Sequence, residues 1–317
     1  METIELGNTE LRVPRLAFGG CPMGGHGWGE VSRDEFIHTI KTSMDHGLNF
    51  FDTADTYGLG EGERTLGEAL AGQRDNAIIA TKFGVRVEDG HTRYDNSPEW
   101  IRTALEASLS RMNTDYVDIF QIHYRDHNTP FDEVVSELLN LQNEGKIRYI
   151  GLSNISASET GEIAAYPGKF ASFQNEFSLA NRTHETDIVT YQDNHQMTPL
   201  TWGSLGQGIL SGKYDASSSF EANDRRSRPI YVNFHGEKLE QNLHIVEALR
   251  EIASNLDKSI PAVAIRWILD YLPHSVAIVG IKNVKQLDSN LSALGWSLPP
   301  DAIAHLDLIS QEAGITQ

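Results

Sequence analysis

The chain of 317 residues is poor in cysteine. With Cys21 alone it has no internal disulfide and no cysteine-rich metal site, which fits a reducing compartment. It is also poor in positive charge, with 26 Lys and Arg against 44 Asp and Glu and a formal net charge of −18. That balance argues against nucleic acid or an anionic membrane as partner, because both need a basic face. No long apolar run is present, and the opening METIELGNTE has neither a basic start nor an apolar stretch behind it. The expectation is a soluble, cytoplasmic, unprocessed protein. The chain also lacks G-x-G-x-x-G after its first strand, since FGGCPMGG does not match that spacing, so any dinucleotide binds in another way. The two histidines of HYRDH lack the neighbouring Glu of a metalloprotease helix, and no metal is expected.

What is present is a regular alternation. Two short segments flank Gly7-Asn8, good hairpin chemistry. Eight short apolar strands follow, each succeeded by helical sequence: around residues 15–18, in LNFF before Asp52, and in NAIIATKFG, YVDIFQIHYRD, IRYIGLSN, FASFQNEFSL, MTPLTWGSL and SVAIVGIKN. Helices are expected from Ser32 to about His46, from about Glu63 to Ala71-Gly72, after Ser97-Pro98 and Thr129-Pro130, at about 238–255 and 260–272, from Val284, and from Pro299 to about Gln311. Residues 215–237 read as a long surface loop. Near-continuous apolar strands alternating with helices indicate a parallel sheet. Eight units with no composition shift predict one domain over 1–317, an α/β (β/α)8 TIM barrel with an N-terminal β-hairpin and extra C-terminal helices. An open doubly wound sheet is the alternative.

In a barrel, Asp52, Lys82 and His123 end three successive strands, and Tyr57 lies in the loop after the first, so all four share one mouth. Each alone has a structural reading: helix cap, rim lysine, hydrogen-bonded histidine, packing tyrosine. Together they form a proton-transfer set. A phenol has a pKa of about 10. A neighbouring ammonium is expected to lower it, a carboxylate to hold the ammonium, and a histidine to orient a carbonyl. No side chain stores hydride, so a nicotinamide or similar cofactor is required.

The blocks FFDTADTYGLGEGERTLGEAL, IIATKFG, YVDIFQIHYRD, GKIRYIGLSN, FQNEFSL, SLGQGILSGKY and VGIKNVKQLDSNLSAL resemble, in order, those of the aldo-keto reductase superfamily, in the branch of bacterial reductases and potassium-channel β-subunits. The resemblance implies reversible NADP(H)-dependent interconversion of an aldehyde, ketone or sugar carbonyl and an alcohol. It implies a catalytic tetrad of Asp52, Tyr57 as general acid/base, Lys82 and His123. It implies that Ser153, Asn154 and Gln174 hold the nicotinamide carboxamide, with Asp52 nearby, and that Trp202 stacks on the ring. Gly203, Ser204, Leu205, Gly206, Gln207 and Lys213 would line the pyrophosphate, with Gly20 and Cys21 near the ribose.

The stretch from Gly280 to Asn290 is a strand end followed by a helix N-terminus, a natural anion site. Lys282 and Lys285 stand there as cations in an acidic chain. By resemblance, Lys282 faces the adenosine 2′-phosphate and Gln286 and Asn290 the adenine, which favours NADP (NADPH) with NAD as the alternative. Arg225, Arg226 and Arg228 either clamp the same adenosine or decorate a loop. The loop from Met23 to Trp28, Tyr124-Arg125 and the 215–237 loop are expected to shape the pocket, with Trp28, Tyr57, His123 and Tyr124 as substrate contacts. The expected partner is a small carbonyl or alcohol, and the oligomeric state is open. A second functional reading is a cofactor-loaded regulatory or assembly subunit with little catalysis.

Overall fold

Successive side chains of a strand face opposite sides, and the central strands of this chain are apolar on both. The computed structural model describes residues 1–25, 27–29 and 32–313. An antiparallel hairpin of β1 (Thr3–Glu5) and β2 (Arg12–Pro14) comes first. Then follow β3 (Leu16–Gly19), β4 (Phe50–Asp52) and β5 (Ile78–Phe83), and a second antiparallel hairpin of β6 (Val85–Glu88) and β7 (His91–Tyr94). β8 (Val117–Ile122), β9 (Ile147–Ser153), β10 (Phe170–Glu176), β11 (Thr198–Trp202) and β12 (Val276–Gly280) complete the set. The eight strands outside the hairpins pair in parallel and close into a barrel, from β3 through β4, β5, β8, β9, β10, β11 and β12 back to β3.

The helices are α1 (Arg33–Asp45), α2 (Glu61–Ala69), α3 (Pro98–Met112), α4 (Phe131–Asn143), α5 (Thr160–Ala164), α6 (Glu185–His195), α7 (Gly236–Leu256), α8 (Ile260–Tyr271), α9 (Val284–Leu291) and α10 (Pro300–Glu312). One set of strand residues fills the barrel: Ala17, Phe50, Ile78, Ala80, Ile119 and Leu200, with Leu6 and Val13 of the first hairpin closing the floor. The other set, including Phe18, Phe51, Ile79, Phe120 and Phe173, packs outward with the helices. Each such phenylalanine contributes roughly 1.5–3 kcal/mol through burial. Gly7 presses the hairpin onto the floor. Its N–H donates to Thr198 Oγ1 at 2.7 Å, and a Cβ there, at φ +51°, would stand 2.4 Å from the Ala171 carbonyl oxygen.

The sequence expectations for strand number, helix order and hairpin hold. Two details differ. α2 begins at Glu61, two residues early, because Gly60 takes φ 94° at its N-cap and turns the chain there. The β6–β7 hairpin was not expected. In the loop after β3, whose Met23–Trp28 stretch was expected to shape the pocket, His26, Glu30 and Val31 lie outside the described residues.

Candidate active site

Counting in twos along the barrel's inner face leads from apolar floor to polar mouth. Phe50 is followed by Asp52, Ile78 and Ala80 by Lys82, Ile119 by Gln121 and then His123, and Ser172 by Gln174. The four strands thus converge on one point. Lys82 is 1% exposed, so its charge finds no water and must be paired. Its Nζ donates to Asp52 Oδ1 at 2.6 Å, to the Thr53 carbonyl at 2.9 Å and to the Tyr57 hydroxyl at 3.3 Å. Asp52 Oδ2 accepts from Gln121 Nε2 at 3.1 Å and from Gln174 Nε2. Gln174 Nε2 also donates to Gln121 Oε1 at 2.9 Å.

Tyr57 is delivered by a loop locked to its neighbour. A Cβ on Gly58, at φ +60°, would stand 2.3 Å from the Gly24 carbonyl oxygen, and one on Gly24 would stand 2.4 Å from the Gly58 nitrogen. The expected acidification of Tyr57 is not found. Burial, with smaller effects from Cys21 and Asp52, pushes the phenol well above its usual value. Burial outweighs the hydrogen bond that the Lys82 ammonium offers the phenol oxygen.

The His123 N–H continues the ladder to the Phe83 carbonyl at 2.8 Å, and its own carbonyl accepts from Asn154 Nδ2 at 3.0 Å. Its ring meets the Tyr57 ring edge-on, with centroids 6.2 Å apart, and stacks on Tyr124 at 5.0 Å. Burial, then the charge on Lys82, hold the imidazole well below its ordinary pKa, so it is neutral at neutral pH. Beneath the Tyr57 loop, Glu63 is fully buried and accepts from Thr81 Oγ1 and Arg111 Nε, both at 2.6 Å. Burial, reinforced by Glu63, pushes Asp55 up to about 8.

The residues expected at a cofactor line the same mouth, but several are already engaged. Ser153 is buried and accepts from Asn154 Nδ2 at 3.1 Å, and Asn154 holds φ 54°. Trp202 ends β11, its Nε1 buried without a hydrogen-bond partner among the described residues. The Ser204 hydroxyl is bound to the carbonyls of Thr201 (2.8 Å) and Ile278 (3.0 Å), so it ties β11 to β12. Both ends of the Gln207 amide are taken, Nε2 by Glu176 (2.8 Å) and Oε1 by Asn233 (2.6 Å), which holds a non-glycine residue at φ 56°. Gly203 and Gly206 take φ 67° and 55° on either side of Leu205. These residues therefore present backbone, not side chains. Gly20 donates its N–H to the Asp52 carbonyl at 2.7 Å, and the neighbouring Cys21 thiol is pushed up by burial.

The Lys282 ammonium is bound to the Trp28 carbonyl, and its own N–H donates to Gln286 Oε1 at 2.9 Å. Lys213 faces the Tyr214 ring. Gly280 ends β12. Asn290 is 3% exposed, yet its Nδ2 has no hydrogen-bond partner among the described residues. Of the arginines, Arg226 is paired with Asp224, and the Arg225 N–H donates to the Gly27 carbonyl at 2.9 Å. Trp28 meets Tyr231 edge-on, with centroids 5.8 Å apart.

Sequence reading missed Gln121, Glu176 and Asn233. Gln121 carried a signal, since it is polar in an otherwise apolar strand end and in phase with His123. Asn233 carried none, because its partner Gln207 is 26 residues away.

The sequence model described as the aldo/keto reductase family matches residues 15–311. The Schizosaccharomyces pombe (strain 972) aldo-keto reductase yakc, whose name specifies NADP(+), is 32% identical over 300 residues, covering 92% of this chain and 86% of that protein. The NADH-specific methylglyoxal reductase of Escherichia coli (strain K12) is 28% identical over 314 residues, covering 94% and 95%. Among solved structures, the glycerol dehydrogenase AKR11B4 from Gluconobacter oxydans superposes with a TM-score of 0.88 at 33% identity, covering 98% of this chain and 95% of that one.

Proposed function

The chain belongs to the aldo/keto reductase family, and from that premise we propose that it interconverts a small carbonyl compound and the corresponding alcohol with NADP(H), using Tyr57 as general acid/base. The observation that carries this reading is the Lys82 ammonium standing between the Asp52 carboxylate at 2.6 Å and the Tyr57 hydroxyl at 3.3 Å.

The residues at the mouth fit a nicotinamide dinucleotide. The buried Asn290 Nδ2, which has no hydrogen-bond partner among the described residues, is a donor for an adenine ring nitrogen. Backbone at Gly203 to Gln207 and the start of α9 offer N–H groups to phosphates, and Lys282 and Lys213 offer charge. Gln174 spends only its amide nitrogen on Asp52 and Gln121, leaving Oε1 for a carboxamide with Ser153 and Asn154. When bound, such a coenzyme supplies the hydride.

The protein's part is the proton. A phenol held above its ordinary pKa keeps its hydrogen at neutral pH, so Tyr57 is in the form that can donate. As the carbonyl oxygen gains negative charge, Tyr57 passes it the proton. Lys82 then stabilises the phenolate through a hydrogen bond already in place, and Asp52 keeps the ammonium there. Neutral His123 offers an N–H to the same oxygen at no cost of moving a charge. Proton donation of this kind contributes about 10²–10⁴-fold in rate. In the reverse direction the phenolate takes the alcohol proton.

Turnover assays with NADPH and NADH against aldehydes, ketones and sugars, and with the oxidised coenzymes against alcohols, test the reading. Reduction of a carbonyl with NADPH preferred is the expected result. Tight cofactor binding with no turnover on any member would favour the regulatory-subunit reading.

A further inference from the structure

A catalytic imidazole is commonly oriented by a hydrogen bond from its second ring nitrogen. His123 has no such tether: its Nδ1 is buried and has no hydrogen-bond partner among the described residues. What does fix the ring plane is visible in the aromatic contacts. Tyr124 lies on His123 with centroids 5.0 Å apart and planes 28° from parallel. Tyr94, at the end of β7, stacks on Tyr124 in turn at 5.2 Å and 27°. Two successive ring stacks therefore link the reacting centre to the second hairpin, where Tyr94 is 49% exposed.

The stack is clamped at its backbone. Fully buried Asn96, two residues after Tyr94, donates its Nδ2 to the Tyr124 carbonyl at 3.1 Å. Its N–H donates to Asp126 Oδ2 and its Oδ1 accepts from the Asp126 N–H, both at 2.8 Å. Gly84, where the hairpin leaves β5, has no room for a side chain, since a Cβ would stand 2.7 Å from Asn96 Nδ2 and 3.0 Å from the Tyr124 carbonyl oxygen. On its outer side, Arg86 pairs with Asp95 at 2.7 Å and lies over the Trp100 ring. Three hydrogen bonds thus tie the hairpin's exit to the loop after β8, and they fix the backbones that carry the two tyrosine rings.

We infer that the β6–β7 hairpin is a positioning element for the reaction. Tyr94 holds Tyr124 flat against His123 and so aims the imidazole, with no need for either tyrosine to touch the reacting atoms. The inference rests on the catalytic reading of His123 given above, but the orientation it asserts is measurable without turnover. Offset aromatic pairs are worth about 0.5–1.5 kcal/mol, which corresponds to about two- to tenfold in a rate that depends on the ring's placement.

The test is side-chain NMR of His123 in the cofactor-free protein, with His123→Asn as the assignment blank, on wild type, Tyr94→Ala and Tyr94→Phe. Expected are ring-current-shifted His123 resonances in wild type, resonances moved toward ordinary imidazole positions or broadened in Tyr94→Ala, and the wild-type pattern restored in Tyr94→Phe. In steady state, Tyr94→Ala lowers kcat about two- to tenfold at unchanged cofactor Kd, and Tyr94→Phe restores it. Unmoved His123 resonances in Tyr94→Ala overturn the proposal. So does a rise in substrate KM alone, which would make Tyr94 a substrate contact. If no variant shows turnover but the resonances respond as described, the positioning stands and the catalytic reading fails.

Discussion

Gly58 and Gly24 meet backbone to backbone, so the loop that carries Tyr57 packs directly on the loop after β3 with no room for a side chain on either glycine. Gly58→Ala is expected to destabilise the protein and displace Tyr57, because the added methyl would lie 2.3 Å from a carbonyl oxygen that is itself held by the chain. The control is Gly25→Ala, at φ +65° with nothing within 4 Å of its Cβ among the described residues, which costs the backbone term of roughly 1–2 kcal/mol. Denaturant unfolding is expected to place Gly58→Ala about 1–3 kcal/mol below Gly25→Ala. Equal stabilities would deny the contact.

Asp55 gives stability a pH dependence of definite sign. Its carboxyl is pushed from an ordinary 3.8 up to about 8 by burial and by Glu63, and its Oδ1 has no hydrogen-bond partner among the described residues. The folded protein therefore keeps a proton that the unfolded chain gives up, and this contribution, full below about pH 4, is lost as pH rises toward about 8. Asp55→Asn is neutral in both states. Its Tm relative to wild type is expected to climb steadily from pH 5 to pH 8 in thermal scans. A constant or falling difference contradicts the assignment.

Lys282 is expected to discriminate between coenzymes. Its ammonium now rests on the Trp28 carbonyl, a neutral partner that a phosphate can replace. Lys282→Gln is expected to weaken NADPH about tenfold or more, the magnitude of a charge-assisted hydrogen bond, and to leave NADH nearly unchanged. Fluorescence titration with both coenzymes gives the answer. Equal losses for the two would remove Lys282 from 2′-phosphate recognition.

Much of this site was legible in the sequence because strand periodicity is strict. Once Phe50 is placed inside the barrel, Asp52 must be inside too, and the same count brings in Lys82 and His123. The β6–β7 hairpin escaped for a physical reason. Asp89-Gly90, both at positive φ, is strong turn chemistry, but β7 is exposed along its whole length and so shows no apolar face. The protonation of Tyr57 was illegible because it depends on how deeply the loop buries the phenol, which no spacing in the sequence reports.

The most direct test of the central claim is a single-turnover measurement of Tyr57→Phe, loaded with NADPH and mixed with a carbonyl substrate of the wild type. The chemical step is expected to slow by about 10²–10⁴-fold while coenzyme Kd stays near its wild-type value, because the hydroxyl acts on the transition state. A chemical step at the wild-type rate in Tyr57→Phe would contradict proton transfer by this phenol.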